Sequence, residues 1–165
     1  NEFSNFARMP RPIFKMININ DVVSRSVNFV KMSSKNNINI NTDNKKNIIN
    51  GDIEQLNRVF INLIKNSEEA FLDLLKKNPD FKGKIDIDII SNNDYIMVIL
   101  TDNGTGISDT KKVMTPYFTT KINGTGLGLP IVSKIINDHS GDFIIKNNEN
   151  RDGVNIEISF PKLNV

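Results

Sequence analysis

Apolar positions change their spacing several times along the chain, and each change marks a new element. Phe3, Phe6 and Ala7 fall at helical spacing, the tail of a helix from Glu2 to about Met9 that Pro10 and Pro12 forbid to continue. Ile13 to Ile17 reads as a short strand. Val22, Val23, Val27 and Val30 line one face of an amphipathic helix that Asn20 or Asp21 would cap. Alternation at Ile38 and Ile40, then the pair Ile48 and Ile49, predicts two short strands around a polar turn at Asp43 and Asn44. The longest helical pattern follows: Asp52 is a credible N-cap, and Ile53, Leu56, Val59, Phe60, Leu63, Ile64, Phe71 and Leu74 recur at helical spacing until Pro79 and Gly83.

Ile85 to Ile90 and Tyr95 to Leu100 flank Asn92, Asn93 and Asp94 in a hairpin pattern. The second run is apolar on both faces, which predicts a central strand closed by Thr101 and Asp102. Residues 103–126 are rich in Gly, Thr and Lys without periodicity, and a connection of that length inside a compact domain is usually functional. A helix from about Gly126 to Asp138 and strands at Phe143 to Asn147 and Val154 to Phe160 complete the chain. The pattern predicts an α/β (α+β) sandwich of a mixed sheet and three helices.

The 165 residues suit one core. A net charge of +2 supplies no field to draw the chain to nucleic acid or an anionic membrane surface. No window approaches the roughly 18 to 20 apolar residues of a membrane-spanning helix, and no basic, apolar, small-residue leader stands at the start. The absence of Cys excludes disulfides and thiolate chemistry and fits a reducing compartment. Heavy use of Asn, Ile and Lys reads as codon drift in an AT-rich genome. The start without Met, on a helix tail, leads us to expect more protein upstream.

Four blocks carry candidate chemistry. In the long helix, Asn62 and Asn66 are four apart and share a face, and an amide oxygen is a suitable hard ligand for Mg²⁺ beside substrate phosphates. Taken alone, two Asn in an Asn-rich chain carry no information. Asp102-Asn103-Gly104-Thr105-Gly106-Ile107 ends the central strand, where a carboxylate can accept from an exocyclic amine and glycines let backbone approach a ligand. As a calcium loop it fails, because Gly104 occupies a position that needs an oxygen side chain. Pro116-Tyr117-Phe118-Thr119-Thr120-Lys121 places aromatics, hydroxyls and a cation in the long loop. Gly124-Thr125-Gly126-Leu127-Gly128-Leu129-Pro130 runs into a helix, and such glycines expose N–H groups to an anion. No Gly-Lys-Ser/Thr follows, which excludes a P-loop, and the region about twenty residues on offers Asn147 and Asn148 rather than the acid of a dinucleotide fingerprint.

In this order the blocks resemble the N, G1, F and G2 boxes of histidine kinases, within the ATPase/kinase superfamily of gyrase, Hsp90 and MutL that shares the Bergerat ATP-binding fold. The resemblance covers about residues 13 to 161. It implies a two-layer sandwich whose largely antiparallel sheet packs on three helices, with an ATP lid at about 103–126. It also implies ATP and Mg²⁺ as cofactors, with Asn66 as the metal ligand and Asn62 its neighbour near metal and phosphates. Asp102 would bind the adenine amine, Gly104 and Gly106 would shape its pocket, and Ile107 would pack on the base. Thr125, Gly126, Leu127 and Gly128 would surround the phosphates, with Leu129 and Ala70 closing an apolar wall. Lys65 and Lys121 are candidate phosphate contacts. In the final glycine box Gly153 is present, but Val154-Asn155 replaces the family's small hydroxyl pattern.

The hydrolysing branch of the superfamily places a Glu base one turn before the metal Asn. Asn62 stands there and cannot take a proton from water, which favours transfer over hydrolysis. His139 is the sole histidine and lacks the Glu or Asp that follows an acceptor histidine, so a structural role is expected. The acceptor is therefore expected on a dimerising helical hairpin upstream, whose last turn survives in residues 1–12, leaving 13–165 as the catalytic domain. Glu2 to Pro10 resembles the corresponding junction of NtrY-type nitrogen-regulation kinases. Implied partners are that hairpin, docked by Tyr117 and Phe118, and a response regulator receiver domain, in a full-length homodimer. The implied location is cytoplasmic, with any membrane anchor in upstream segments. A serine-directed kinase of the same fold and a nucleotide-sensing scaffold without transfer remain the alternatives.

Overall fold

The computed structural model describes residues 9–107, 128–149 and 152–165. Strand β1 (Lys15–Asn18) runs directly into helix α1 (Ile19–Lys31). Strands β2 (Asn37–Thr42) and β3 (Ile48–Gly51) lead to helix α2 (Ile53–Lys77). The hairpin β4 (Lys84–Ser91) and β5 (Tyr95–Asp102) follows, then helix α3 (Gly128–Asp138) and strands β6 (Asp142–Asn147) and β7 (Val154–Pro161). Five strands form one sheet in the order β2-β4-β5-β7-β6, with β2 parallel to β4 and the other pairs antiparallel. The three helices found among the described residues pack on this sheet. The expected two-layer sandwich is therefore the observed architecture, and β5 is its central strand.

Each helix buries one stripe. Leu56, Val59, Phe60, Leu63, Ile64 and Phe71 of α2 are almost fully enclosed, and they meet the alternate inward residues of β4, β5 and β7. The first helix begins earlier than expected, capped by Asn18, whose Oδ1 accepts from the Asn20 N–H at 3.0 Å. The reason is Ile19, which is fully buried and extends the apolar stripe back by one turn. The two strands around Asp43 and Asn44 do not pair with each other. β2 joins β4, whereas β3 pairs with β1 in a separate two-stranded sheet. Asn44 sits at a φ of 59°, and Asp43 accepts from the Lys45 N–H, the Asn47 amide and the Ser91 hydroxyl, pinning the connection to the end of β4. Burial raises the affinity of the Asp43 carboxyl for its proton, but these donors outweigh it and hold the group below its ordinary value.

Asp52 is the N-cap of α2, as expected, and accepts from the Glu54 and Gln55 N–H groups. Its other oxygen accepts from the Ile13 N–H at 2.8 Å, and Gln55 donates to the Pro10 carbonyl, so the entering chain is fastened to this helix end. Of the expected N-terminal helix tail, residues 2–8 lie outside the described residues and Met9 has no regular structure.

His139 follows α3 and is 5% exposed. Its Nε2 accepts from the Asp52 N–H at 3.0 Å, and its Nδ1 lies 2.7 Å from the Ile135 carbonyl oxygen, to which it donates in the neutral tautomer. Phe14 packs edge-on against the ring. Both ring nitrogens are engaged in holding the end of α3 to the start of α2. The substitution His139→Phe keeps a ring there and orphans the Asp52 donor. It should lower the unfolding free energy by about 1–3 kcal/mol in urea titrations.

Candidate functional site

Helix α2 places Asn62, Asn66 and Ala70 four residues apart along one flank of its buried stripe, all half-buried. Ser67 lies within the stripe itself and is 7% exposed. A hydroxyl so placed needs a partner, and it finds Asp102 at the end of β5, donating to Oδ2 at 2.6 Å. Asp102 is itself 5% exposed. Its Oδ1 accepts from the Gly104 N–H at 2.9 Å and the Val154 N–H at 3.1 Å. Three elements thus converge on one carboxylate: the middle of α2, the end of β5 and the start of β7.

Glycines permit this convergence. A methyl at Gly104 would stand 3.2 Å from both the Ala70 Cβ and Asp102 Oδ1. Gly153 has a φ of +112°, and a methyl there would lie 2.0 Å from the Asp102 carbonyl oxygen. Asn148 donates from Nδ2 to that same carbonyl at 3.0 Å. Gly106, at a φ of +82°, turns the chain so that Ile107 meets Asn147. The Asn147 amide accepts from the Ile107 N–H and donates to the Ile107 carbonyl, both at 2.7 Å. The side chain thereby extends the edge of the sheet by one backbone-like pair.

Gly128, the first described residue of α3, comes beside α2: a methyl on it would lie 3.9 Å from Asn66 Nδ2. Pro130 is in the first turn of that helix and buried, and Leu129 packs partly on the core. Of the sequence-predicted residues, Ala70, Asp102 and Gly104 therefore meet, Gly128 approaches Asn66, Gly106 and Ile107 follow at the exit of β5 against Asn147, and Asn62 lies one turn before Asn66 on α2.

Lys65 does not join them. It is exposed, on a different side of α2 from Asn66, with its ammonium 6.0 Å from the Phe29 ring centroid of α1. Asn155 does not join either. It pairs with Thr101 across β5 and β7, on the sheet face opposite Asp102, and donates to the Thr101 hydroxyl. Tyr117, Phe118, Lys121, Thr125, Gly126 and Leu127 lie outside the described residues.

Sequence reasoning missed Ser67, Asn147 and Asn148. A signal for Ser67 was present: a hydroxyl at i+4 from Leu63 and i−4 from Phe71 interrupts an otherwise apolar stripe. The two Asn gave no comparable sign in a chain so rich in this residue.

A divalent cation delivered with a nucleotide fits the donor chemistry here, because an amide oxygen is a neutral hard ligand and phosphates and water can complete the shell. Among the described residues, no three His, Cys, Asp or Glu side chains form a metal-binding group.

Residues 51–164 match the family model of histidine kinase-, DNA gyrase B- and HSP90-like ATPases. The chain is 34% identical over 162 residues to the NtrY-like sensor histidine kinase assigned in Rickettsia prowazekii (strain Madrid E), covering 96% of this chain and 26% of that protein. It is 40% identical over 116 residues to sporulation kinase B of Bacillus subtilis (strain 168), covering 69% of this chain and 25% of that one. The chain thus spans about a quarter of the length of these curated relatives. Among solved structures, the nucleotide-free catalytic domain of the histidine kinase ThkA superposes with a TM-score of 0.74 at 28% identity, over 91% of this chain and 96% of that one.

The glycine geometry is directly testable. Gly153→Ala should lower the unfolding free energy by at least about 2 kcal/mol, from both positive φ and collision with Asp102. Gly128→Ala sits in a helix with its methyl at ordinary contact distance from Asn66 and should be neutral or stabilising by up to about 1 kcal/mol. Urea unfolding of the two variants checks the contrast.

Proposed function

Because the chain belongs to the family of histidine kinase-, DNA gyrase B- and HSP90-like ATPases, we propose that it is the ATP-binding catalytic domain of a two-component sensor histidine kinase. The observation that carries this reading is the buried Asp102 at the end of the central strand, held between α2 and β7 beside the Asn66–Gly128 approach. A nearly enclosed carboxylate that helices and glycines surround is suited to grip an exocyclic amine. The adenine would lie against Ile107 and the wall formed by Ala70 and Leu129, and the phosphates would run toward Asn66 and Gly128. Thr125, Gly126 and Leu127 take phosphate contacts by resemblance, and Lys121 serves transfer on the same ground.

Mg²⁺ bound with the nucleotide would supply charge neutralisation at the phosphates. Asn66 would be its protein ligand and Asn62 a neighbour that positions phosphate or water. The γ-phosphoryl then passes to an imidazole nitrogen of a histidine on a helical hairpin outside these residues: the new P–N bond forms as the bond to the ADP oxygen breaks. His139 cannot serve as acceptor while buried and bonded at both nitrogens. Positioning and electrostatic stabilisation dominate such transfers, and no base is needed at position 62.

By resemblance to its relatives, the full protein is a homodimer that passes its phosphoryl group to a response regulator; ThkA has been crystallised with the response regulator protein TrrA. No described helix is long and apolar enough to cross a membrane. Nitrogen regulation is implied only by the resemblance of Glu2 to Pro10 to NtrY-type kinases.

Thermal melts with and without Mg·ATP test the reading. Ligand at about 100 times its dissociation constant adds roughly 2.7 kcal/mol, which is a rise of several degrees for a domain of this size at roughly 2 to 4 °C per kcal/mol. The rise should be seen in the wild type and lost in Asp102→Asn. A wild type that does not respond at millimolar ATP would sink the proposal.

A further inference from the structure

Asp102 has more to do than accept one ligand bond, and the bonds around it can be counted. An ionised carboxylate offers about four acceptor sites, two on each oxygen. The Gly104 and Val154 N–H groups fill both sites of Oδ1. The Ser67 hydroxyl fills one site of Oδ2 at 2.6 Å. Among the described residues, one acceptor site therefore remains, on Oδ2, in a carboxylate that is 5% exposed. The two backbone donors fix the carboxylate plane through Oδ1, and Ser67 decides which of the two Oδ2 acceptor sites stays open.

Ser67 is well placed to do so. It is 7% exposed and rides on α2 at a fixed height, one residue beyond Asn66 and three before Ala70. Its single proton is committed to Asp102.

We propose that Ser67 is a positioning residue for nucleobase recognition: its hydroxyl holds Asp102 so that one remaining acceptor meets one exocyclic N–H of a 6-aminopurine. This inference rests on the nucleotide reading given above and adds a second residue to it. Without the hydroxyl, Oδ2 has two open sites instead of one, and water competes for both. The loss falls on recognition of the amine. Asn66 and Gly128, which would hold the phosphates, are not partners in the Ser67–Asp102 bond, so phosphate binding should be unchanged.

The experiment is a cycle between protein and ligand. Calorimetry measures ADP and purine riboside diphosphate, which differ only in the 6-amino group, on the wild type and on Ser67→Ala. In the wild type the amine should improve binding about tenfold, the effect of one charge-assisted hydrogen bond. In Ser67→Ala that advantage should shrink to about twofold, with affinity for the ligand lacking the amine unchanged. Ser67→Thr, which keeps the hydroxyl, should restore the advantage. If Ser67→Ala does not fold, Ser67→Cys replaces it, as a thiol of similar size and weaker donor strength.

Equal weakening of both ligands would mark a merely structural role and overturn the proposal, as would an undiminished preference for the amine. A wild type that binds ADP but ignores the amine would overturn both the role of Ser67 and the assignment of Asp102 to adenine. A wild type that binds neither ligand would bring down the nucleotide reading itself.

Discussion

A carboxylate cannot be buried at the end of a central strand unless donors come to it. Much of the local architecture around Asp102 follows from this constraint. The strand β7 begins where its Val154 N–H reaches Oδ1, and the preceding turn requires Gly153 because any Cβ would enter the Asp102 carbonyl. The chain after β5 must turn back at Gly104 to present its own N–H. Helix α2 gives up an apolar position to Ser67 at the height of the carboxylate. Each of these choices is a cost in local propensity that makes sense only in relation to the others.

The same helix is fixed from its other end by a second polar junction. Asp52 caps α2, accepts from the entering chain at Ile13, and donates its own N–H to His139 at the end of α3. The helices α2 and α3 are thus tied at this junction, while Gly128 approaches Asn66 from the start of α3. A rigid pair of helices carrying Asn62, Asn66 and Gly128 is what positioning catalysis asks of a scaffold. The junction also explains why the one histidine is unsuited to chemistry: its lone pair is occupied in holding the helices together.

Elements with a long apolar period were legible in the sequence. The stripe of α2, its Asp52 cap and the hairpin of β4 and β5 needed only spacing and turn chemistry to be recognised. Pairing was less legible. Both Ile38/Ile40 and Ile48/Ile49 mark short strands, and nothing local tells that one strand joins the main sheet in parallel and the other pairs with β1. That outcome depends on contacts far apart in the chain. Site residues divided the same way: Asp102 and its glycines announce themselves at a strand end, whereas Ser67, Asn147 and Asn148 act through bonds spanning 35, 40 and 46 residues. Lys65 shows what proximity in sequence leaves open. Its sequence position beside Asn66 suited a phosphate, but one residue is a rotation of about 100° on a helix, enough to turn it toward Phe29.

That same rotation gives meaning to the spacing of the functional flank. Positions 62, 66 and 70 advance by only about 40° per step, so they form a gently winding row of small and amide side chains beside the core. On the nucleotide reading proposed above, a base at position 62 would face the phosphates and any water beside them, and the row would then favour hydrolysis. Asn62 offers an oxygen and two N–H groups at that place and can orient its neighbours without accepting a proton. On that reading, a site built this way would hold a reactive phosphate without activating water to attack it. Such restraint is useful when the nucleophile must come from elsewhere, because each nucleotide lost to hydrolysis is lost to transfer.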